Sequence, residues 1–380
     1  MPSRAAALAA MAAFLPHAGA DYARTRNYDF GPAKRDNVSC LSPYIRHRLL
    51  TEEELVRAVL AHHGPVDAEK FIQEVFWRTY WKGWLQMRPS IWTDYQAELA
   101  DMSAAHPDLD RACTGQTGIA CFDAWVQELV ETGYLHNHAR MWFASIWIFT
   151  LGLPWQVGAD FFLRHLVDGD PASNTLSWRW VAGLHTPGKT YLATPDNIRT
   201  FTAGRFDPPP LHHGPAPAAH PNPAPGRVDD ADAQPRGRIL LLLTEEDLNP
   251  ESLCLDGADI VGIAALRAQT DGLSAPVAAF RDGAMDDALA RSASFFGCPA
   301  AIIPDAQLID HAAGLGVSQI VTADAALGPT HDRLRAVAAQ SAAADLTLVR
   351  LRRHWDSAAW PLATKGFFAF RQHIPDLLPR

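Results

Sequence analysis

The sequence predicts an all-helical first half followed by a parallel α/β second half. Three observations predict it. Apolar residues recur at helical spacing up to about residue 205, a Pro- and Ala-rich tract then interrupts the pattern, and beyond it short apolar runs alternate with helical segments. A length of 380 residues exceeds what one hydrophobic core normally holds. Two domains are therefore expected, at 1–205 and 238–380, joined by a linker at 206–237.

The opening run "RAAALAAMAAFL" predicts a helix that packs on the core rather than a leader, being short and only weakly hydrophobic. "TEEELVRAVLAHH" has Thr51 as N-cap and Glu54 three residues on, a capping box. "AEKFIQEVFWRTYWKGWLQM", "CFDAWVQELVETG", "HNHARMWFASIWIFTLG" and "VGADFFLRHLVDG" have 3.6-residue periodicity, with Gly133 and Gly169 as expected helix stops. "DPPPLHHGPAPAAHPNPAPGRVDDADAQPRGR" has no apolar period and reads as a partly extended linker, its His212, His213 and His220 a solvated tract. "RILLLLT", "DIVGIAAL", "AAIIPD", "QIVTAD" and "LTLVRL" then read as strands, separated by helices such as "MDDALARSASFFG" and "HDRLRAVAAQ", which implies a sheet covered on both faces. That half has no Gly-rich phosphate loop.

Composition narrows the function classes. A net charge of −9 gives no general cationic footprint for nucleic acid, and no apolar run is long enough to cross a bilayer. The five cysteines are scattered without a C-x-x-C pair, which predicts reduced cytoplasmic thiols and no metal site. Ten of the twelve tryptophans fall between Trp77 and Trp180, so the first half uses indoles for something. On one helix Glu74, Trp77, Arg78 and Trp81 share a face, with Ile72, Phe76 and Tyr80 on another; Asn137, Arg140, Met141 and Ala144 repeat the first spacing. For either helix alone packing is the default reading; together they suggest a ligand cavity between them.

These segments resemble the FAD-binding helical domain of the DNA photolyase/cryptochrome family. "ADYARTRNYDF", "NVSCLSPY", "EVFWRTYW", "TGYLHNHARM" and "LVDGDPASNTLSWRW" are similar to that family's motifs, in order, from about Ala20 to Trp180. The resemblance implies an FAD site made by Tyr22, Val38, Ser39, Cys40, Leu41, Ser42, Arg78, Asn137, Arg140, Asp168, Gly169, Asp170 and Asn174. Within it, Arg140 pairs with Asp168 and the Asn174 amide faces the reactive ring. Val38 stands where the family has Thr, and Cys40 where it commonly has Arg. Trp178, Trp155 and Trp92 are similar to the indole series that carries electrons from the surface. Trp77 and Trp180, with Glu74, Asn137 and Met141, are similar to the walls of the hole that takes a flipped pyrimidine dimer.

The function so implied is FAD-dependent, blue-light-driven repair of cyclobutane pyrimidine dimers in DNA by electron transfer from reduced flavin. The alternative is a cryptochrome-like photosensor or redox flavoprotein that repairs nothing. A second antenna chromophore in the C-terminal half is an open expectation. So are a monomeric state and a weak, single-strand-biased affinity for UV-damaged DNA. Arg46, Arg48, Arg88, Lys189 and Arg199 are the candidates for a local DNA-facing patch, His138 stands where the family has Arg, and Tyr134 replaces Trp. In the family the α/β domain comes first. Here "RILLLLTEEDLNPESL" resembles its beginning and "LRRHWDSAAWPLATKGFFAFRQHIP" its end, which implies a circularly permuted order. After Trp180 the likeness fades, and the family's final helices and DNA-facing loop are expected to be lacking.

Overall fold

A computed structural model describes residues 2–102 and 108–379. Its first half is helical: α1 (Arg4–Phe14), α2 (Ala20–Thr25), α3 (Ser42–Arg46), α4 (Glu52–Asp67), α5 (Glu69–Gln86), α6 (Ser90–Asp101), α7 (Leu109–Cys113), α8 (Ala120–Thr132), α9 (Asn137–Ser145), α10 (Trp155–His165), α11 (Pro171–Val181) and α12 (Pro195–Phe201). The capping box forms as expected, Thr51 and Glu54 each satisfying the other's backbone amide. Gly133 ends α8 in the left-handed conformation, its amide returning to the Leu129 carbonyl. Gly169 does not end a helix. The last turn of α10 closes at His165, Leu166 goes extended, and the Val167 amide is taken by the Gly133 carbonyl at 2.9 Å, which draws the chain away from its helix axis. After α9, residues Ile146–Thr150 widen into a π-helical turn.

The second half holds five strands, β1 (Gly237–Leu243), β2 (Ala258–Ala265), β3 (Ala300–Ile302), β4 (Gln319–Ala323) and β5 (Thr347–Leu351). They form one parallel sheet in the order β3-β2-β1-β4-β5, with Leu240 opposite Ile320 and Leu242 opposite Ala264. The intervening helices are α13 (Ala275–Phe296), α14 (Asp305–Gly314) and α15 (Pro329–Ala343); the chain finishes with α16 (His354–Ala359), α17 (Phe367–Phe370) and α18 (Ile374–Leu377). Leu240, Leu242 and Ala264 bury one sheet face under Leu308, Ala312, Leu334 and Val337 of α14 and α15. The opposite face, through Leu241, Leu243, Ile263 and Ala265, joins a core that runs without a break into the helical half.

Strand order reverses between β1 and β4, and the loops leaving the C-terminal ends of these two strands dock on the helical half. The Leu248 amide donates to the His47 carbonyl at 2.9 Å, and the Leu327 amide to Gln86 at 3.2 Å. Buried ion pairs fix the contact: Arg46 to Glu246 at 2.7 Å, Arg48 to Asp356 at 2.5 Å and to Asp247 at 3.5 Å. Gly83 of α5 meets the other half so closely that a Cβ there would lie 2.7 Å from the Trp360 Cα.

Three of the five cations expected to face DNA are thereby accounted for differently. Arg46, Arg48 and Arg88 are 2–5% exposed. The first two join the halves, and Arg88 donates to the Trp84, Pro223 and Thr364 carbonyls. Lys189 and Arg199 are exposed, Arg199 being paired with Asp196. The tract at 206–236 has no helix or strand but is strapped to the helical half: the Gly214 amide donates to the Phe149 carbonyl at 2.7 Å and the Gly226 amide to that of Met87 at 2.8 Å. His212, His213 and His220 are exposed, as a solvated tract would be, and His213 also bonds the Ala193 carbonyl. Among the described residues no helix is long and apolar enough to cross a membrane, and no cluster of His, Cys, Asp or Glu could hold a metal ion.

Candidate functional site

A cavity of about 720 Å³ opens in the helical half, a size usual for a cofactor or ligand site. One wall is α5, whose Gln73, Glu74, Trp77, Arg78 and Trp81 fall on a single face, while Ile72, Phe76 and Tyr80 bury the opposite stripe. The facing wall is the start of α9, with Asn137, Arg140, Met141 and Ala144. Ser39, Cys40 and Ser42 border one end, Cys40 adopting a left-handed backbone at φ 49°.

The floor is the turn between α10 and α11. Its two acids, two residues apart in sequence, enter different networks. Asp168 accepts from Arg140 at 2.9 Å. Asp170 caps α11 by accepting from the Ser173 amide at 2.7 Å, and it gathers Lys82, Arg78 and Arg46 at 3.5, 3.8 and 3.9 Å. Lys82 and Arg46 in turn reach Glu246 beyond β1, so the α/β half supports the floor from behind. Burial pushes both acids upward, but neighbouring cations prevail: Arg140 first for Asp168, and Lys82, Arg78 and Arg46 for Asp170, whose carboxyl is held well below the usual range. Both are therefore carboxylates at neutral pH. Asn174 is oriented by its amide nitrogen, which donates to the Ala159 carbonyl at 2.8 Å.

Several polar atoms in the floor make no hydrogen bond, Arg78 Nη1 having only its 3.8 Å ion pair with Asp170. Asp168 Oδ1, Arg78 Nη1, Ser173 Oγ and Trp178 Nε1 are buried and unbonded, and their residues line the cavity. Such atoms are costly unless a ligand meets them. An acceptor, a guanidinium, a hydroxyl and an indole N–H around a slot flanked by rings fit a flat heteroaromatic group with a polar tail, and the residues present thus suit FAD. Near Tyr134 the guanidinium of Arg35 lies 4.3 Å from the ring centre and that of Arg140 5.4 Å. Burial lowers His136 and His138 to about 4, so both are neutral, and His138 brings no positive charge where a cation was expected.

Of the residues singled out in the sequence, Tyr22, Val38, Ser39, Cys40, Ser42, Glu74, Trp77, Arg78, Asn137, Arg140, Met141, Asp168, Gly169, Asp170, Asn174, Trp178 and Trp180 all line this cavity. Leu41 does not; its side chain is fully buried in the core. The Trp178 ring lies on the backbone of α10 where Gly158 leaves room: a Cβ there would come within 2.4 Å of the indole. Trp155 is one turn back on α10, and Tyr95 stands between it and Trp92, with ring centres 5.6 and 5.5 Å apart. The series does not end in solvent. Trp92 is 3% exposed, and its indole N–H points at Asp332 of α15 at 3.4 Å.

Other features lie outside what the sequence reading anticipated. Glu74 pairs with Arg26 at 2.5 Å rather than with Arg78. Trp77 stacks on Phe367 of α17, ring centres 3.6 Å apart and planes 11° off parallel, and Trp180 stacks on Tyr191. Phe367, Phe368 and Arg371 complete the mouth from the far end of the chain. Helical spacing shows which residues share a face, but not that a segment nearly 300 positions away covers it.

Residues 71–208 match the family model of the FAD binding domain of DNA photolyase. The helical half thus carries an FAD-binding domain of the photolyase/cryptochrome type. The chain combines this helical half with a Rossmann-like parallel α/β half. It is 36% identical over 152 residues to the deoxyribodipyrimidine photo-lyase of Streptomyces griseus, a match covering 40% of this chain and 33% of that protein. With the deoxyribodipyrimidine photo-lyase of Vibrio cholerae it shares 29% identity over 186 residues, 45% of this chain and 39% of the other. The chain thus spans between a third and two fifths of the length of these curated relatives. Among solved structures, a Synechocystis cryptochrome is similar with a TM-score of 0.46 at 25% identity, over 53% of this chain and 43% of its own. A class III photolyase from Agrobacterium tumefaciens gives 0.45 at 28% over the same shares.

Proposed function

We propose that the protein is a circularly permuted, FAD-dependent photolyase that repairs cyclobutane pyrimidine dimers in DNA under blue light. On this reading the helical domain at 1–205 and the antenna-like domain at 238–380 are joined through 206–237. The observation that carries the reading is a single cavity in which a charged floor with unmatched polar atoms lies beneath walls of indole, amide and thioether. Asp168, Arg140, Asp170 and Arg78 would hold the polar parts of FAD, Asn174 would fix the ring's edge, and Ser39 and Ser42 would bond its tail. When bound, FAD supplies the light absorption and the electron that opens the cyclobutane ring. Glu74 and Asn137 accept from and donate to the base edges, Met141 and Trp180 form apolar walls, and the rings of the mouth exclude water. Trp178, Trp155 and Trp92, with Tyr95 between the last two, give a file of aromatic rings along which reducing equivalents reach the floor.

The test is repair of a UV-damaged oligonucleotide by purified protein with reductant, under blue light and in darkness. Restoration only in the light is expected. The second reading, a cryptochrome-like photosensor, draws on the stacking of Phe367 over Trp77 and the pairing of Glu74 with Arg26, which engage two of the lesion-facing groups. Normal light-driven flavin reduction without repair would select it.

A further inference from the structure

We propose that Phe368 and Arg371 are a nucleic-acid contact at the rim of the cavity, where Phe368 stacks on an unpaired base next to the lesion and Arg371 meets a phosphate of the same strand. The inference rests on the repair reading and adds residues from the last helices of the α/β half.

Three adjacent observations carry it. First, α17 has two of its three phenylalanines anchored: Phe367 is 5% exposed and stacked on Trp77, and Phe370 is 1% exposed against Phe76 and Tyr80. The segment before it is pinned by Tyr80 donating to the Lys365 carbonyl at 3.0 Å and by Arg88 donating to that of Thr364 at 2.8 Å. Second, Phe368 between these anchors is 75% exposed while lying at the cavity. Helix packing does not require an apolar ring there, and it is presented on a fixed base rather than on a loose loop. Third, the Arg371 guanidinium lies 5.7 Å from the Phe368 ring centre and makes no ion pair among the described residues. Lys70 borders the same cavity, so the rim has cations beside an open aromatic face.

An exposed ring with a guanidinium over one face and the other open suits a base and the phosphate beside it, since every base has a π-face and stacking tolerates sequence. An apolar protein surface would be met less well by a lone ring among cations. The occupant is therefore a single strand, or a strand opened where the dimer is extruded, consistent with a chain whose net charge of −9 gives no broad duplex-binding field.

The experiment uses the full-length protein with bound FAD and a UV-irradiated single-stranded oligothymidylate carrying 2-aminopurine next to the dimer. Phe368→Ala is expected to weaken binding at least about fivefold and to abolish the quenching of 2-aminopurine seen with the parent protein. Phe368→Trp is expected to restore both. Arg371→Ala is expected to weaken binding and to reduce the slope of log affinity against log salt by about 0.7. FAD content and the thermal transition serve as controls for folding. If the parent protein binds the strand and Phe368→Ala binds and quenches equally well, the rim contact is wrong while the repair reading stands. If the parent protein binds no damaged strand, the repair reading and the contact built on it both fall. Phe368-dependent binding to vesicles of anionic phospholipid, with none to the oligonucleotide, would overturn the choice of partner.

Discussion

At the floor of the cavity, Asp170 and Lys82 form a buried ion pair, and Asp168, 3% exposed, is paired with Arg140. At its mouth, Trp77 and Phe367 are stacked rings, and the one ion pair, Glu74 with Arg26, is 29% and 26% exposed. The two regions answer different demands. Removing one partner from a buried pair costs about 3–5 kcal/mol because the other charge is left stranded, whereas a half-exposed pair contributes about 1 kcal/mol or less. The floor is therefore suited to a resident cofactor held by charge, while the mouth combines an anchored aromatic stack with an ion pair that is cheap to break.

The largest effect is expected at the floor. Arg140→Ala leaves Asp168, whose side chain is 3% exposed, with its carboxylate unpaired. It should lower unfolding stability by about 3–5 kcal/mol in a urea titration and yield protein without FAD absorbance. A milder variant of the comparison is Glu246→Ala, which touches nothing in the cavity itself but deprives Arg46 and Lys82 of a shared partner. A loss of about 1.5–3 kcal/mol is expected, with weaker FAD retention on dialysis, because Arg46 loses its hydrogen-bonded carboxylate and more of the balancing charge falls on Asp170.

Acid should sharpen the contrast. Burial lowers His136 and His138 to about 4 and His185 to about 3. In the unfolded chain these rings take up protons below about pH 6.5, so between there and about pH 4 the unfolded state binds more protons than the native one. Their contribution to stability is complete above that window and is lost as pH falls through it. Thermal melts at about pH 7, 5.5 and 4.5 should show a falling Tm, and His185→Gln should make the fall shallower. The smallest effect belongs to the mouth: Arg26→Ala should change stability by no more than about 1 kcal/mol and leave FAD content unaltered, as read from the flavin-to-protein absorbance ratio.

The same division explains what the sequence made legible. The floor and walls are written in short segments whose residues are neighbours on one helix face or one turn: Glu74 to Trp81, Asn137 to Ala144, Asp168 to Asn174. Helical periodicity groups the residues of each wall, and the resemblance of the acidic turn to a family motif brings it to them. The strands were equally plain, because a sheet buried on both faces reads as unbroken apolar runs such as "RILLLL". The mouth depends on pairings with no local signature. Phe367 over Trp77, Arg26 at Glu74 and Asp332 against Trp92 are settled only when distant segments meet. Gly169 misled for a related reason: a glycine after an apolar run marks a helix end in general, but here a backbone bond from Val167 to Gly133 had already drawn the chain off. Arg46 and Arg48 look like surface cations in any one-dimensional reading, and only the acids beyond β1 and in α16 take them inside.

Those acids have a consequence for how the chain is put together. Arg46 with Glu246 and Arg48 with Asp356 join the halves through space, so the proline-rich strap is a tether and not the bond that unites them. Two separately expressed polypeptides, broken near residue 217, would find each other by mass action and yield a working heterodimer. Dilution would then become an off-switch that the unbroken molecule does not have.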